Sequence, residues 1–204
     1  MVMLERLIER GVVKGFFEFN ELGRLDKSCC SKSKLEVIDF DKTKATIVAK
    51  NKVAQPPKSA DALKILPELN CVDFIELKGF KEFIKRDKKK DFKKKVEGFK
   101  LDKKIRDSFS ILQSIVEDKS IRFSLEQLEE YIHIKKNFLI VVDIEPSKDP
   151  LKDLDTSRMF LSIKKTLNNI PDSSLHNLNK PKLLSCNQID SHYQELLNKP
   201  SETL

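Results

Sequence analysis

Asp61, Glu76 and Lys78 stand out in the stretch SADALKILPELNCVDFIELKG, residues 59–79. They are ionisable groups set in two runs that otherwise read as strands, ADALKI and CVDFIELKG. Burying an unpaired charge is costly, so such groups need partners or a chemical task. In a strand, residues two apart share a face. Glu76 and Lys78 therefore lie with Phe74, while Asp73, Ile75 and Leu77 take the other side. If the two runs pair, Asp61 comes level with Glu76, and two carboxylates and an ammonium converge at one edge. Phosphodiester hydrolysis needs that inventory. Two acids hold a divalent cation, Mg²⁺ or its substitute Mn²⁺, through hard oxygen ligands. The cation neutralises phosphate charge and acidifies a bound water, while the lysine orients or deprotonates that water or stabilises developing charge.

Acid-x-Lys triplets are cheap in a lysine-rich chain. DKK at 87–89, DFK at 91–93 and DKK at 102–104 also fit, but without strand patterning they read as solvated helix faces. ELK at 76–78 differs because an apolar strand precedes it and Gly79 ends it. Asp73, on the opposite face, and Asp143, after FLIVV, read as hydrogen-bonding or capping acids.

The elements that must position these residues follow from periodicity. MLERLIERGVV is amphipathic, with Leu4, Leu7 and Ile8 on one side. KLEVIDF and KATIVA are β-branched runs separated by DKTK, which predicts a hairpin. Ile105, Phe109, Leu112, Ile115 and Val116 share one helical face. SLEQ at 124–127 forms a capping box for a helix whose inward stripe is expected to be Leu125, Leu128 and Ile132. NFLIVVDI is apolar enough for a strand covered on both faces. A further helix, capped by Asp155 or Thr156, runs to Leu167 with Met159, Phe160 and Ile163 inward. The expected organisation is an α/β domain over 1–170 with a mixed central sheet flanked by helices, then a loosely ordered extension over 171–204.

The chain carries a net charge of +7. Residues 78–106 hold 14 Lys or Arg against 5 Asp or Glu, so this one segment contributes +9 and the remainder −2. Such concentration favours a local anionic partner. Lys81, Lys85 and Arg86, the run Lys88, Lys89 and Lys90, and the run Lys93, Lys94 and Lys95 are the candidate nucleic-acid contacts. The interleaved Phe80, Phe83, Phe92 and Phe99 are expected to pack this segment onto the sheet. No apolar run approaches the roughly 20 residues of a spanning helix, and MVMLERLIERGVVKG interrupts any signal-peptide centre with charges. An intracellular, cytoplasmic protein is expected, without a membrane partner. Cys29, Cys30, Cys71 and Cys186 lack paired CxxC spacing and are expected to be reduced, partly buried thiols rather than metal ligands.

From the first predicted hairpin to NFLIVVDI, the pattern resembles the PD-(D/E)xK nuclease superfamily, whose shared core is a helix, three strands, a helix and a strand. The resemblance implies a restriction-endonuclease-like fold in which the lysine-rich helical segment 78–106 is an insertion. It also implies a metal-dependent nuclease in which Asp61 is the first acid, Glu76 the second and Lys78 the lysine, with the main-chain carbonyl of Leu77 as an additional metal ligand. Some members add an acid from the first helix, for which Glu9, Glu18 and Glu21 are candidates. Ala60, not proline, precedes Asp61. DNA cut endonucleolytically is the expected substrate, and a homodimer would place two sites on two strands. Two other readings stay open: a non-catalytic nucleic-acid-binding protein, and an interaction protein docking an acidic partner through its lysines.

Overall fold

The computed structural model describes residues 3–51, 55–86, 91–145, 153–170 and 178–198. It is an α/β protein built on a six-stranded open sheet in chain order, β1 (Phe19–Glu21), β2 (Glu36–Asp39), β3 (Ala62–Leu66), β4 (Cys71–Lys78), β5 (Lys135–Val142) and β6 (Lys182–Ser185). β1–β2, β2–β3 and β3–β4 pair antiparallel, and β4–β5 and β5–β6 are parallel. Parallel neighbours need a crossover. Here the chain leaves β4 through two short helices, α4 (Lys81–Arg86) and α5 (Phe92–Glu97), then α6 (Leu101–Val116) and α7 (Leu125–His133).

The other helices are α1 (Met3–Val13), α2 (Leu22–Leu25), α3 (Phe40–Asn51), α8 (Leu154–Asn168) and α9 (Ile189–Asn198). Alternation along the central strands divides the core in two. Val72, Phe74, Phe138, Ile140 and Val142 face the larger cluster with α6, whose Phe109 stacks on Phe74 at 4.9 Å between ring centroids. Ile75, Leu77, Leu139 and Val141 face a smaller one closed by Ile189 and Tyr193 of α9. Both faces of β5 are thus covered, as its apolar run predicts.

Three expectations are corrected. KATIVA is not the second arm of a hairpin but lies in α3. Asp39 accepts the amide of Lys42 at 3.1 Å and starts the helix, and Phe40, Thr43 and Ile47 recur at helical spacing on its buried face. That cap and stripe override the β propensity of Thr46, Ile47 and Val48. Strand β2 instead pairs with β1 and β3. Second, α8 is capped not by Asp155 or Thr156 but by Asp153, which accepts the Thr156 amide at 3.2 Å. In the described part of the 171–204 region, β6 extends the sheet and α9 covers it. The polar composition of that region masked a short strand flanked by one buried stripe. Third, the Ser124–Gln127 capping box is formed, but Leu125 and Ile132 are exposed and Tyr131 is buried in their place. Lys136 fixes that rotation by donating to the carbonyls of Tyr131 and Ile134, both at 3.1 Å. Among the described residues, no helix is long and apolar enough to cross a membrane.

Candidate active site

Strands β3 and β4 pair with Ala62 opposite Ile75, so one step further Asp61 faces Glu76 across the ladder. Asp61 donates its amide to the Ile75 carbonyl at 3.0 Å. Its carboxylate accepts the Leu77 amide at 2.6 Å, so the side chain continues the ladder where the strand's own backbone ends. Helix α6 helps to set this geometry, because Ser108 accepts the Ala60 amide at 2.8 Å and Asp107 accepts the Lys58 amide at 2.7 Å.

Glu76 is fully buried. Its Oε1 takes two ammonium groups, Lys78 from its own strand and Lys104 from α6, the latter at 2.6 Å. Its Oε2 has no hydrogen-bond partner. Buried polar atoms are nearly always satisfied, so an orphaned carboxylate oxygen is where a cation would fit. The Lys78 ammonium also donates to the Leu77 carbonyl at 2.9 Å and thereby bridges two of the expected oxygen donors. Asp61, Glu76 and the Leu77 carbonyl are the oxygens that could hold a hard cation such as Mg²⁺ or Mn²⁺.

The electrostatics are uneven. Burial, reinforced by the neighbouring Glu76 charge, pushes the Asp61 carboxyl up to about 6. Burial alone would push Lys78 down, but the charges of Glu76 and Asp61 outweigh it, and Lys78 sits above its ordinary range. Lys78 is therefore cationic at neutral pH.

A cleft of about 420 Å³ opens beside Asp61, Leu77 and Lys78. Three further carboxylates line it, Asp26, Asp39 and Asp41. Glu9, Glu18 and Glu21, the candidates for an additional acid, do not: Glu9 is exposed on α1, Glu18 pairs with Lys42, and Glu21 pairs with Arg24. Asp39, nearly buried at the end of β2, is the acid of this cleft that sequence patterning missed, because it also caps α3. Lys104 was hidden within a triplet that reads as a solvated face. Its signal lay in the helical stripe Leu101, Lys104, Ser108 and Ile111, whose other three members are buried.

Lys81, Lys85 and Arg86 on α4 and Lys93, Lys94 and Lys95 on α5 are exposed, and Lys88, Lys89 and Lys90 lie outside the described residues. Arg86 pairs with Glu82 at 3.0 Å, and Lys95 lies over the Phe83 ring at 4.9 Å. The phenylalanines face inward as expected. Phe80 and Phe92 are buried, and Phe80 packs on Phe99 with centroids 5.5 Å apart. Phe99 in turn lies 5.6 Å from the Lys78 ammonium, so the basic segment is packed directly against the site. Asp143 accepts the amides of Phe80 and Lys81, fixing the start of α4. It is a capping acid.

No protein-family model matches the chain, and no curated protein or solved structure matches it significantly.

Proposed function

We propose that this chain is a divalent-metal-dependent nuclease of the PD-(D/E)xK type, with DNA as the expected substrate. The observation that carries the reading is that the β3–β4 register brings Asp61, the residue just before β3, level with Glu76 of β4, one Glu76 oxygen being buried and unpartnered. The succession of antiparallel β2, β3 and β4, crossover through α6 and parallel β5 supports the restriction-endonuclease-like core, with α3 and the basic helices as insertions.

Asp61, Glu76 Oε2 and the Leu77 carbonyl would hold the ion. A bound Mg²⁺ would supply charge neutralisation at the phosphate and a more acidic water. Lys78, cationic at neutral pH, serves as a donor to phosphate oxygens rather than as a base that removes a proton. When Lys78 turns from Glu76 to the substrate, Lys104 remains as the counter-charge beside the buried carboxylate. The exposed lysines of α4 and α5 would track the phosphate backbone, giving affinity without sequence readout.

The test is incubation of the purified protein with plasmid, linear and single-stranded DNA and with RNA, in Mg²⁺, Mn²⁺ or chelator. Metal-dependent cleavage lost in Glu76→Ala and Lys78→Ala is the expected result. Undiminished cleavage in both variants overturns the reading. One observation favours a second reading, a non-catalytic nucleic-acid binder: Glu76 is neutralised by two lysines. That reading predicts no cleavage, with salt-dependent, metal-independent binding that survives Glu76→Ala.

A further inference from the structure

Three cysteines, two adjacent in sequence and one distant, meet at the C-terminal end of β5 and β6, the same strand ends at which β4 carries Lys78. Cys29 and Cys30 sit in the loop between α2 and β2, and Cys186 directly follows β6. The Cys29 sulfur lies 2.7 Å from that of Cys186 and 3.6 Å from that of Cys30, and all three fall within 4.8 Å of one another. All four cysteines are free thiols that are buried or half-buried, and Cys71 lies apart from the other three, next to Asp73.

We propose that Cys29, Cys30 and Cys186 form a thiolate site for a zinc-class cation. With Zn–S bonds of about 2.3 Å, the sulfurs of a tetrahedral site stand roughly 3.8 Å apart. The Cys29–Cys30 separation already matches. The Cys29–Cys186 pair must open by about 1 Å, which a rotation of the half-buried Cys186 side chain supplies.

Local structure favours three sulfurs acting together. Cys30 adopts a left-handed backbone, φ +56°, unusual for a residue with a Cβ, and this turn brings two adjacent thiols to one side. The loop is seated on Gly23, where a Cβ would come within 2.7–2.9 Å of the carbonyls of Ser33, Cys30 and Ser31. The Cys30 amide donates to the Cys186 sulfur at 2.9 Å, the kind of outer contact that orients a ligand.

Cys30 and Cys186 line a polar cavity of about 430 Å³ that gives a route in, and water from it would take the fourth position. Binding releases thiol protons to solvent. Lys32 and Lys81 line the same cavity together with the carboxylates Asp143, Glu145 and Asp190, so its wall carries both signs of charge. The cation would tie the 26–33 loop to the end of β6. That loop carries Asp26 into the cleft beside Lys78 and packs Ser28 against Gly79. The proposal stands apart from the nuclease reading.

The test titrates the reduced full chain with Co²⁺, then with Zn²⁺. We expect one equivalent of Co²⁺ to give the intense visible bands and sulfur charge-transfer absorption of a tetrahedral three-thiolate site, displaced by one equivalent of Zn²⁺. Cys30→Ser and Cys186→Ser should lower affinity at least about tenfold, with Cys71→Ser unchanged and circular dichroism confirming that each variant folds. A six-coordinate spectrum without sulfur bands in the unmodified protein overturns the site. So does equal loss in Cys71→Ser, or an intact mass 2 Da low before reduction, whose trapped thiols show a disulfide as the native form.

Discussion

Strand β4 carries two buried acids on opposite faces, and their surroundings could hardly differ more. Asp73 is 1% exposed and fully satisfied by neutral donors, the Tyr193 hydroxyl at 2.9 Å on one oxygen and the Asn137 amide at 2.5 Å on the other. Glu76 is 0% exposed, yet it gives one oxygen to two ammonium groups and leaves the other unpartnered. A carboxylate that serves only the fold closes its hydrogen-bond shell. One that serves chemistry keeps a coordination position in reserve and concentrates charge around it.

Substituting both acids is the sharpest way to break that contrast. Glu76→Gln should lower metal-dependent cleavage by ~10³-fold or more. Asp73→Asn should leave cleavage per folded molecule unchanged while lowering the unfolding free energy by about 1–3 kcal/mol. Nuclease assays alongside urea melts read both numbers, and parallel behaviour of the two variants would dissolve the distinction. Lys78→Met comes next. Cleavage should fall ~10²-fold through loss of the phosphate donor, while Mn²⁺ affinity in calorimetry rises, because the ammonium no longer bridges Glu76 and the Leu77 carbonyl.

Lys104→Met should reduce turnover by about tenfold, since it touches the site only through its ion pair with Glu76. The pH dependence then sharpens the picture at Asp61. Its carboxyl titrates near 6 in the folded protein, so cleavage should fall about tenfold per pH unit below that value. The stability linkage has the opposite sign. A carboxyl raised in the folded state stabilises below its unfolded value of about 3.9, and that contribution is lost as pH rises through 6. Asp61→Asn, which keeps an acceptor for the Leu77 amide, should therefore gain about 1–2 kcal/mol at pH 8 and nothing at pH 4, while losing activity. The smallest effect belongs to the basic helices. Replacing Lys93, Lys94 and Lys95 by alanine should reduce the salt-dependence slope of DNA binding by up to ~0.9 for each phosphate that is no longer neutralised.

Much of the sheet was legible because burial leaves a period. FLIVV announced a strand covered on both faces and CVDFIELKG a strand, and the face-sharing of Phe74, Glu76 and Lys78 followed from alternation alone. The order of Asp61 and Glu76 across β3 and β4 needed only a short connection, which Pro67, Asn70 and a 3₁₀ turn at Pro67–Leu69 provide. KATIVA misled because its β-branched residues suit a strand, whereas the cap from Asp39 and the inward Thr43 and Ile47 are helical signals visible only once the partner face is known. Lys104 and the cysteine cluster were invisible for a different reason. Lys104 lies 28 positions from Glu76, and Cys186 lies 157 from Cys29. Pairings of that length are set by how β4, α6 and β6 stack, not by local spacing.

Anomalous diffraction from Mn²⁺-soaked crystals tests the central claim most directly. The account predicts one strong peak about 2.1 Å from the Asp61 carboxylate, Glu76 Oε2 and the Leu77 carbonyl, with Lys78 displaced from Glu76. A map with no peak there, and Lys78 still seated between Glu76 and the Leu77 carbonyl, would contradict it.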